Sequence, residues 1–354
     1  MSNVISAYQY YLGRYPEDVG AVDYHSGRSG GDLAELRKSL TTAPEYSESL
    51  FKVPQPKPGT FFFPRANAPK VCVLGNCQGP NIALALAAIS KAPISVCGLE
   101  IMDFQASAEW MIELIKDADY VVACKTYDPK FEPISPEVIR DTYRKQVFEY
   151  SPVHFTGLHP DILILGAFRD RILSPVGDYN SRIVLSAFVS GLSQAECLDA
   201  FCAEIYDRAD YFTEFQRSNE TMAKREEALD DDGLRFREWF VEQIKDVPLL
   251  YSVNHPNSRV FYEIAHRILD KIGLSYRPIM PEMVTNTLSS QVIWPVEREF
   301  SEAHDLAYES TPLYWRGNVP LDREEFVWRS YLAYDALGSD RLAEVMGPRV
   351  IRFD

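Results

Sequence analysis

The residues best able to do chemistry in this chain are Cys77 and a set of histidines. Cys77 stands in VCVLGNCQGPN, residues 71–81, an apolar run closed by a glycine and followed by a cysteine, a glutamine and the start of a helix. The thiolate is the nucleophile, and an ordinary thiol is mostly protonated at neutral pH. A working cysteine therefore needs positive potential, which the free amides of a helix N-terminus supply while also holding a phosphate or a developing oxyanion. The expected donors here are the backbone N–H groups of Gln78 and Gly79 and the side-chain amides of Asn76 and Gln78. Gly75 closes the strand, and Pro80 suits a first helical turn that needs no N–H. The other reading of Cys77 is a small residue filling a tight turn, and the residues alone leave both open.

A cysteine nucleophile wants a histidine. Of the six, His255 stands in Asn254-His255-Pro256, read as a strand-to-helix turn like that of Cys77, and is the first choice of base. His159 is the second, because His159-Pro160-Asp161 places Asp161 on the same side of an extended chain. His266, on a helix, reads as a surface or packing residue; His25 lies in the N-terminal module, His304 in an irregular stretch, and His154 and His159 flank FTGL. The glycines do not match a Walker loop or a dinucleotide fingerprint. Cys72, Cys97 and Cys124 lie in apolar runs and Cys202 on a helical stripe with Leu198, Phe201 and Ile205, so all four read as buried hydrophobes. No cysteine spacing suggests zinc, and no metal site is expected.

The elements that must position these groups follow from the hydrophobic pattern. KVCVLG, PISVCGL, DYVVACK and QVFEY read as buried strands, alternating with helices in PNIALALAAIS, SAEWMIELIKD and SPEVIRDTYRK. Such alternation implies an α/β fold: a mainly parallel sheet flanked by helices, with ligands bound beyond the carboxyl ends of the strands. Residues 181–245 give a helix-rich second half, with Asp232 as a helix cap. Residues 247–273 then read as strand, turn and helix, and residues 286–320 as an irregular segment rich in aromatic residues. The organisation expected is a small all-α module at 1–51, a proline-rich linker at 52–69 and an α/β catalytic domain at 70–354.

The charge of -15 and a sequence pI near 4.9 oppose duplex nucleic acid or an anionic membrane surface as the main partner. No apolar run reaches the roughly 18 residues of a membrane span, and the opening residues lack a leader pattern, so a cytoplasmic location is expected. A homo-oligomer is compatible with the sequence.

VCVLGNCQ, GLHPD, the SNETMAKREEALDD helix and YSVNHPNSRVFYEIAHRILDKIG, in this order from about Lys70 to Gly273, resemble the WcbI-type polysaccharide biosynthesis family. The resemblance implies a capsule-associated acetyltransferase using coenzyme A and a sugar or polysaccharide-precursor substrate. Cys77 then takes the place of the family's reactive cysteine, with His159, Asp161, Asn254 and His255 in matching polar motifs. Gly75, Asn76, Gln78, Gly79, Asp161 and Asn254 are the expected cofactor-binding residues. Lys125, Arg169, Arg171 and Arg182 are candidates for its phosphates, and the aromatic stretch from Trp294 to Trp315 for stacking on a sugar. The opening segment, with Tyr8-x-x-x-Leu12-Gly13-Arg14-x-Pro16 and Ala43-Pro44-Glu45-Tyr46, resembles a short helical module attached to bacterial glycan-related proteins. Two other readings stand beside transfer: a cysteine-dependent thioesterase or glycan-ester hydrolase, and a non-catalytic coenzyme A or glycan binder. The Gly-x-nucleophile turn also resembles that of Gly-Asp-Ser hydrolases, but no Asp-x-x-His pair near the carboxyl end completes that pattern.

Overall fold

The computed structural model describes residues 19–29, 33–41, 67–126, 128–167, 170–230, 233–309, 312–317 and 319–353. The chain divides into two units, Met1–Thr60 and Phe61–Asp354. In the first, helices α1 (Val19–Ser29) and α2 (Leu33–Thr41) pack on each other, burying Val22, Leu36 and Leu40. The Tyr8–Pro16 motif, the 43–46 motif and all but 67–69 of the proline-rich stretch lie outside the described residues.

In the second unit, four strands follow one another with helices between them: β1 (Lys70–Gly75), α3 (Gly79–Ile89), β2 (Ser95–Glu100), α4 (Phe104–Asp117), β3 (Tyr120–Cys124), α5 (Pro136–Asp141) and β4 (Gln146–Tyr150). All pairings are parallel and the strand order is β2-β1-β3-β4, the α/β arrangement expected from the sequence. Alternate residues separate the two faces, as a pleated strand requires. Cys72, Leu74, Val121, Ala123 and Val147 pack towards α4 and α5. Val71, Val73, Val122, Cys124, Phe148 and Tyr150 belong to the larger core on the other face. There α3 packs against α11 (Ser258–Lys271), with Ile82, Leu86, Phe261, Ile264 and Ile268 fully buried. Each such side chain contributes about 1.5–3 kcal/mol of transfer free energy, so β1 and α3 form a rigid base for the turn between them.

The chain leaves β1 towards β2 on one side and β3 towards β4 on the other. The carboxyl ends of β1 and β3 thus flank the crevice where the connections part, which is where open α/β sheets bind ligands. Gly75 and Cys124 end these strands.

The second half is helix-rich, as expected, and departs from the sequence reading in detail. The 181–245 region is broken into α6 (Arg182–Val189), α7 (Gln194–Asp199), α8 (Ala203–Arg208), α9 (Glu214–Glu227) and α10 (Arg237–Asp246). Cys202 is the extended N-cap of α8 rather than part of a continuous stripe. Asp230 accepts from Arg140 Nη2 at 2.5 Å; Asp231 and Asp232, the latter the expected helix cap, lie outside the described residues. The segment read as irregular holds a three-stranded antiparallel sheet of Val292–Ile293, Tyr314–Arg316 and Val319–Leu321. Among the described residues no helix is long and apolar enough to cross a membrane.

Candidate functional site

The turn after β1 closes on itself. Gln78 N–H donates to Asn76 Oδ1 at 3.0 Å and Gly79 N–H to Asn76 O at 2.9 Å. Asn81 Nδ2 donates to Cys77 O at 3.0 Å, while Asn81 Oδ1 accepts from Thr287 N–H at 2.8 Å. Gln78 is fully buried and caps nothing in α3. Its Nε2 instead donates to Val153 O at 2.7 Å and Asn254 O at 2.9 Å, and its Oε1 accepts from Val153 N–H at 2.9 Å. One carboxamide thereby ties the β1 turn to the segment after β4 and to the Asn254 turn. The donors that the sequence offered for an anion, the Gln78 and Gly79 amides and the Gln78 side chain, are all engaged within the protein. Because Asn76 Oδ1 accepts a backbone N–H, its Nδ2 is left pointing away from that bond, and no described residue accepts from it.

His255 also stands differently from its sequence reading. Ser252 and His255 pair antiparallel in a tight hairpin, with β7 as Leu250–Ser252 and β8 as His255–Pro256, labels β5 (Ile162–Leu163) and β6 (Asn180–Ser181) falling to a pair earlier in the chain. The hairpin is not part of the parallel sheet. It reaches the Cys77 turn through Gln78 rather than by sharing a sheet edge. Tyr179, which the sequence reading did not single out, fixes the imidazole: its hydroxyl donates to Asn254 Oδ1 at 2.7 Å and lies 3.0 Å from His255 Nε2. With the phenolic proton assigned to the shorter contact, Nε2–H donates to the Tyr179 oxygen. Nδ1 then carries the lone pair, and it is buried with no hydrogen-bond partner among the described residues. Burial pulls the His255 pKa down to about 4, so the imidazole is neutral at pH 7.

Cys77 is half-buried and packs against the core that contains Tyr150 and Cys124. Burial and the nearby Glu100 carboxylate push its thiol up to about 11, against a smaller favourable effect of its own backbone N–H. The turn therefore holds a neutral thiol, not the thiolate that a helix start alone would favour. Burial raises the thiol and lowers the imidazole, so both groups rest neutral and form no ion pair.

Beside the turn, a cleft of about 290 Å3 opens at the carboxyl edge of β1, β3 and β4, lined by Asn76, Lys125, Ser151, His154, Arg225 and Asn254, among others. Lys125 Nζ donates to Ala228 O at 2.8 Å and lies 3.8 Å from the buried Glu149, so its charge is partly matched. Arg225, in the last turn of α9, makes no hydrogen bond or ion pair with any described residue. Its guanidinium, second to loss of water, pulls the pKa of His154 below the usual value. Arg225 was visible in the sequence only as one cation among many in a helix.

His159 and Asp161 sit elsewhere, around an enclosed void of about 10 Å3 open to the centre of a water molecule and shared with Tyr206, Trp294 and Glu297. His159 Nε2 donates to Trp294 O at 3.1 Å, and burial pulls its pKa to about 4. Asp161 Oδ1 accepts from Ile183 N–H at 2.9 Å, in the first turn of α6, and from Tyr211 Oη at 3.0 Å. These hydrogen bonds hold the start of α6 and stay within this cluster; none reaches the Cys77 turn. The other candidates divide similarly. Arg182 donates to Arg349 O at 2.6 Å and Ala209 O at 3.3 Å, Arg171 donates to Gly166 O, and Arg169 lies outside the described residues. Trp294 and Tyr314 are buried, with ring centroids 4.9 Å apart, and Tyr314 stacks on Phe326 at 4.0 Å, so they pack the core rather than face a sugar. His304 stacks on Phe215 at 4.7 Å, and His266 lies between Glu263 and Asp270.

Comparison with known proteins adds two findings. Residues 70–277 match the family model described as polysaccharide biosynthesis enzyme WcbI. A solved structure of WcbI, described as a novel polysaccharide biosynthesis enzyme in its native form without a disulfide bond between coenzyme A and one of its cysteines, superposes with a TM-score of 0.59; identity is 16% and the match covers 81% of this chain and 96% of that one. No curated protein matches this chain.

Proposed function

Because this chain belongs to the family of the polysaccharide biosynthesis enzyme WcbI, we propose that it binds coenzyme A in the cleft beside Cys77 and transfers an acyl group, acetyl in the simplest case, to a sugar hydroxyl. The observation that carries this reading is the cleft itself: an unpartnered guanidinium, a partly matched ammonium and two asparagine side chains converge at the switch point of a parallel sheet, one residue from a half-buried thiol.

The donor set suits coenzyme A. Arg225 and Lys125 meet phosphate, Arg225 with the planar fork that binds phosphate oxygens in pairs. Asn76 Nδ2 and Asn254 Nδ2 have no acceptor among the described residues, and such amides hold carbonyl oxygens. Cys77 stands where a thiol end belongs, and the description of the solved relative pairs coenzyme A with a cysteine, the two not disulfide-bonded in that structure. When bound, coenzyme A supplies an acyl group already activated as a thioester.

The chain's own residues then have three tasks: alignment, proton handling and exclusion of water. Gln78 holds the β1 turn and the Asn254 turn at a fixed separation. Tyr179 and Asn254 hold the His255 ring so that Nδ1 is the proton acceptor, the orienting arrangement that a general base requires. Nδ1 takes the proton of the sugar hydroxyl and returns it to the departing sulfur, so the imidazole ends as it began. A neutral Cys77 at rest favours direct transfer over a standing acyl-cysteine. The open cleft favours transfer over hydrolysis, which needs a small pocket supplied with water alone.

Calorimetric titration with coenzyme A, followed by intact mass after acetyl-coenzyme A for the wild type and Cys77→Ala, tests the reading. Binding without an acetyl adduct is expected; an adduct lost in Cys77→Ala establishes the covalent route instead. No binding contradicts the proposal and leaves the hydrolase or glycan-binding readings.

A further inference from the structure

Tyr150 is the last residue of β4, is fully buried, and its hydroxyl has no hydrogen-bond partner among the described residues. A buried hydroxyl without a partner is costly, and phenylalanine fills the same space without the cost. The surroundings of the hydroxyl say where it is aimed. Tyr150 pairs with Cys124 across β3–β4, and Leu74 pairs with Ala123 across β1–β3, so Gly75, Cys124 and Tyr150 form one row on the same face at the carboxyl edge of the sheet. The phenol crosses β3 along this row, and its oxygen lies 2.1 Å from where a Cβ on residue 75 would be. A side chain at residue 75 would collide with this hydroxyl and press on the Gly79 backbone at 3.0 Å. Two residues on is Cys77, packed on the same core as Tyr150 and Cys124.

We propose that the Tyr150 hydroxyl is a hydrogen-bond donor kept free beneath the β1 turn for a negatively charged Cys77 sulfur. The proposal deepens the reading of Cys77 as the group that meets the thiol end of coenzyme A, and rests on it for its purpose. The turn as it stands offers a charged sulfur little: the Gln78 and Gly79 amides are engaged and Glu100 repels. A phenol donor aimed from below supplies what those amides do not, by a small displacement of the turn over an inflexible sheet. The burial that leaves the phenol without water also keeps it protonated, well above its usual range, so it remains a donor throughout the neutral and moderately alkaline range.

The test reads the thiolate directly and needs no bound cofactor. Alkylation by iodoacetamide, followed across pH with peptide mapping of each cysteine, gives the midpoint for Cys77. A hydrogen bond to a charged group corresponds to about tenfold or more in the thiolate population, so the Tyr150→Phe midpoint is expected about one pH unit or more above the wild type. Thermal unfolding of Tyr150→Phe is expected at or above the wild-type midpoint, since no resting hydrogen bond is lost. Coincident midpoints for Cys77 overturn the proposal, as does a shift confined to Cys124. Titration with coenzyme A on the same two proteins separates the two readings: a shift without binding keeps Tyr150 as donor and removes the proposed function, whereas binding without a shift removes Tyr150 alone.

Discussion

Two polar clusters of this molecule look alike as sequence and differ as structure. GNCQ and NHP meet beside an open cleft, whereas HPD closes on a void large enough for one water. Both contain a histidine whose pKa burial pulls to about 4. The difference lies in what covers them. The α6 start, Trp294 and Tyr211 cover this cluster and bond His159 Nε2 and Asp161 Oδ1, while His159 Nδ1 and Asp161 Oδ2 stay buried without a hydrogen-bond partner among the described residues. At the β1 edge the strands part, and the side chains of Asn76, Asn254 and Arg225 are left facing open space. A polar motif after a strand becomes a candidate site only where the topology leaves it uncovered.

Gln78 belongs to both kinds of region, buried like the sealed cluster yet joining the parts of the open one, and its loss should have the largest effect. Gln78→Ala removes three hydrogen bonds, two of them buried, and leaves Val153 and Asn254 backbone groups without these partners. A destabilisation of about 3–5 kcal/mol is expected, read by urea unfolding, with loss of coenzyme A binding.

Acid should act through the buried histidines. Each has a folded pKa of about 4 against 6.5 unfolded, so between these values the unfolded chain binds more protons and stability falls as pH falls. The loss approaches about 3 kcal/mol per histidine below pH 4. Comparing His159→Gln with the wild type from pH 7 to pH 4 isolates one of them; the variant should lose less on acidification while coenzyme A binding at pH 7 is unchanged. A binding defect in this variant would break the distinction between the sealed cluster and the open one.

The converse variant is Arg225→Ala. With no partner to lose among the described residues, its stability should stay within about 0.5 kcal/mol of the wild type, while coenzyme A binding weakens by about tenfold, the effect of one charge-assisted contact. The smallest change expected is for Glu100→Gln, which removes a like charge near Cys77. The alkylation midpoint of Cys77 should move down by a fraction of a pH unit.

The parallel sheet was legible because each strand is a short apolar run and each crossover helix has its own stripe. Cys77 was legible as a residue at the end of such a strand. The hairpin at His255 was not, because a two-residue antiparallel pair depends on partners far away in the chain, and Asn-His-Pro before a helix reads equally as a plain turn. Tyr179 lies in VGDYNS, which has no periodicity, and its role comes from a hydroxyl reaching Asn254 and His255 about 75 residues later. Tyr150 read only as a strand residue, since its unusual feature is a missing partner. The protonation of Cys77 also escaped the sequence: a helix start argues for a thiolate, but burial and Glu100 outweigh it.

The central claim is that Cys77 faces the thiol end of coenzyme A. Incubation with the symmetrical disulfide of coenzyme A tests it, because attack by the Cys77 sulfur forms the mixed disulfide and releases one coenzyme A thiolate. Peptide mapping is expected to find the adduct at Cys77, in preference to the other half-exposed cysteine, Cys202, and to find it suppressed by excess desulfo-coenzyme A. Equal labelling of the two cysteines, or none at Cys77, would contradict the account.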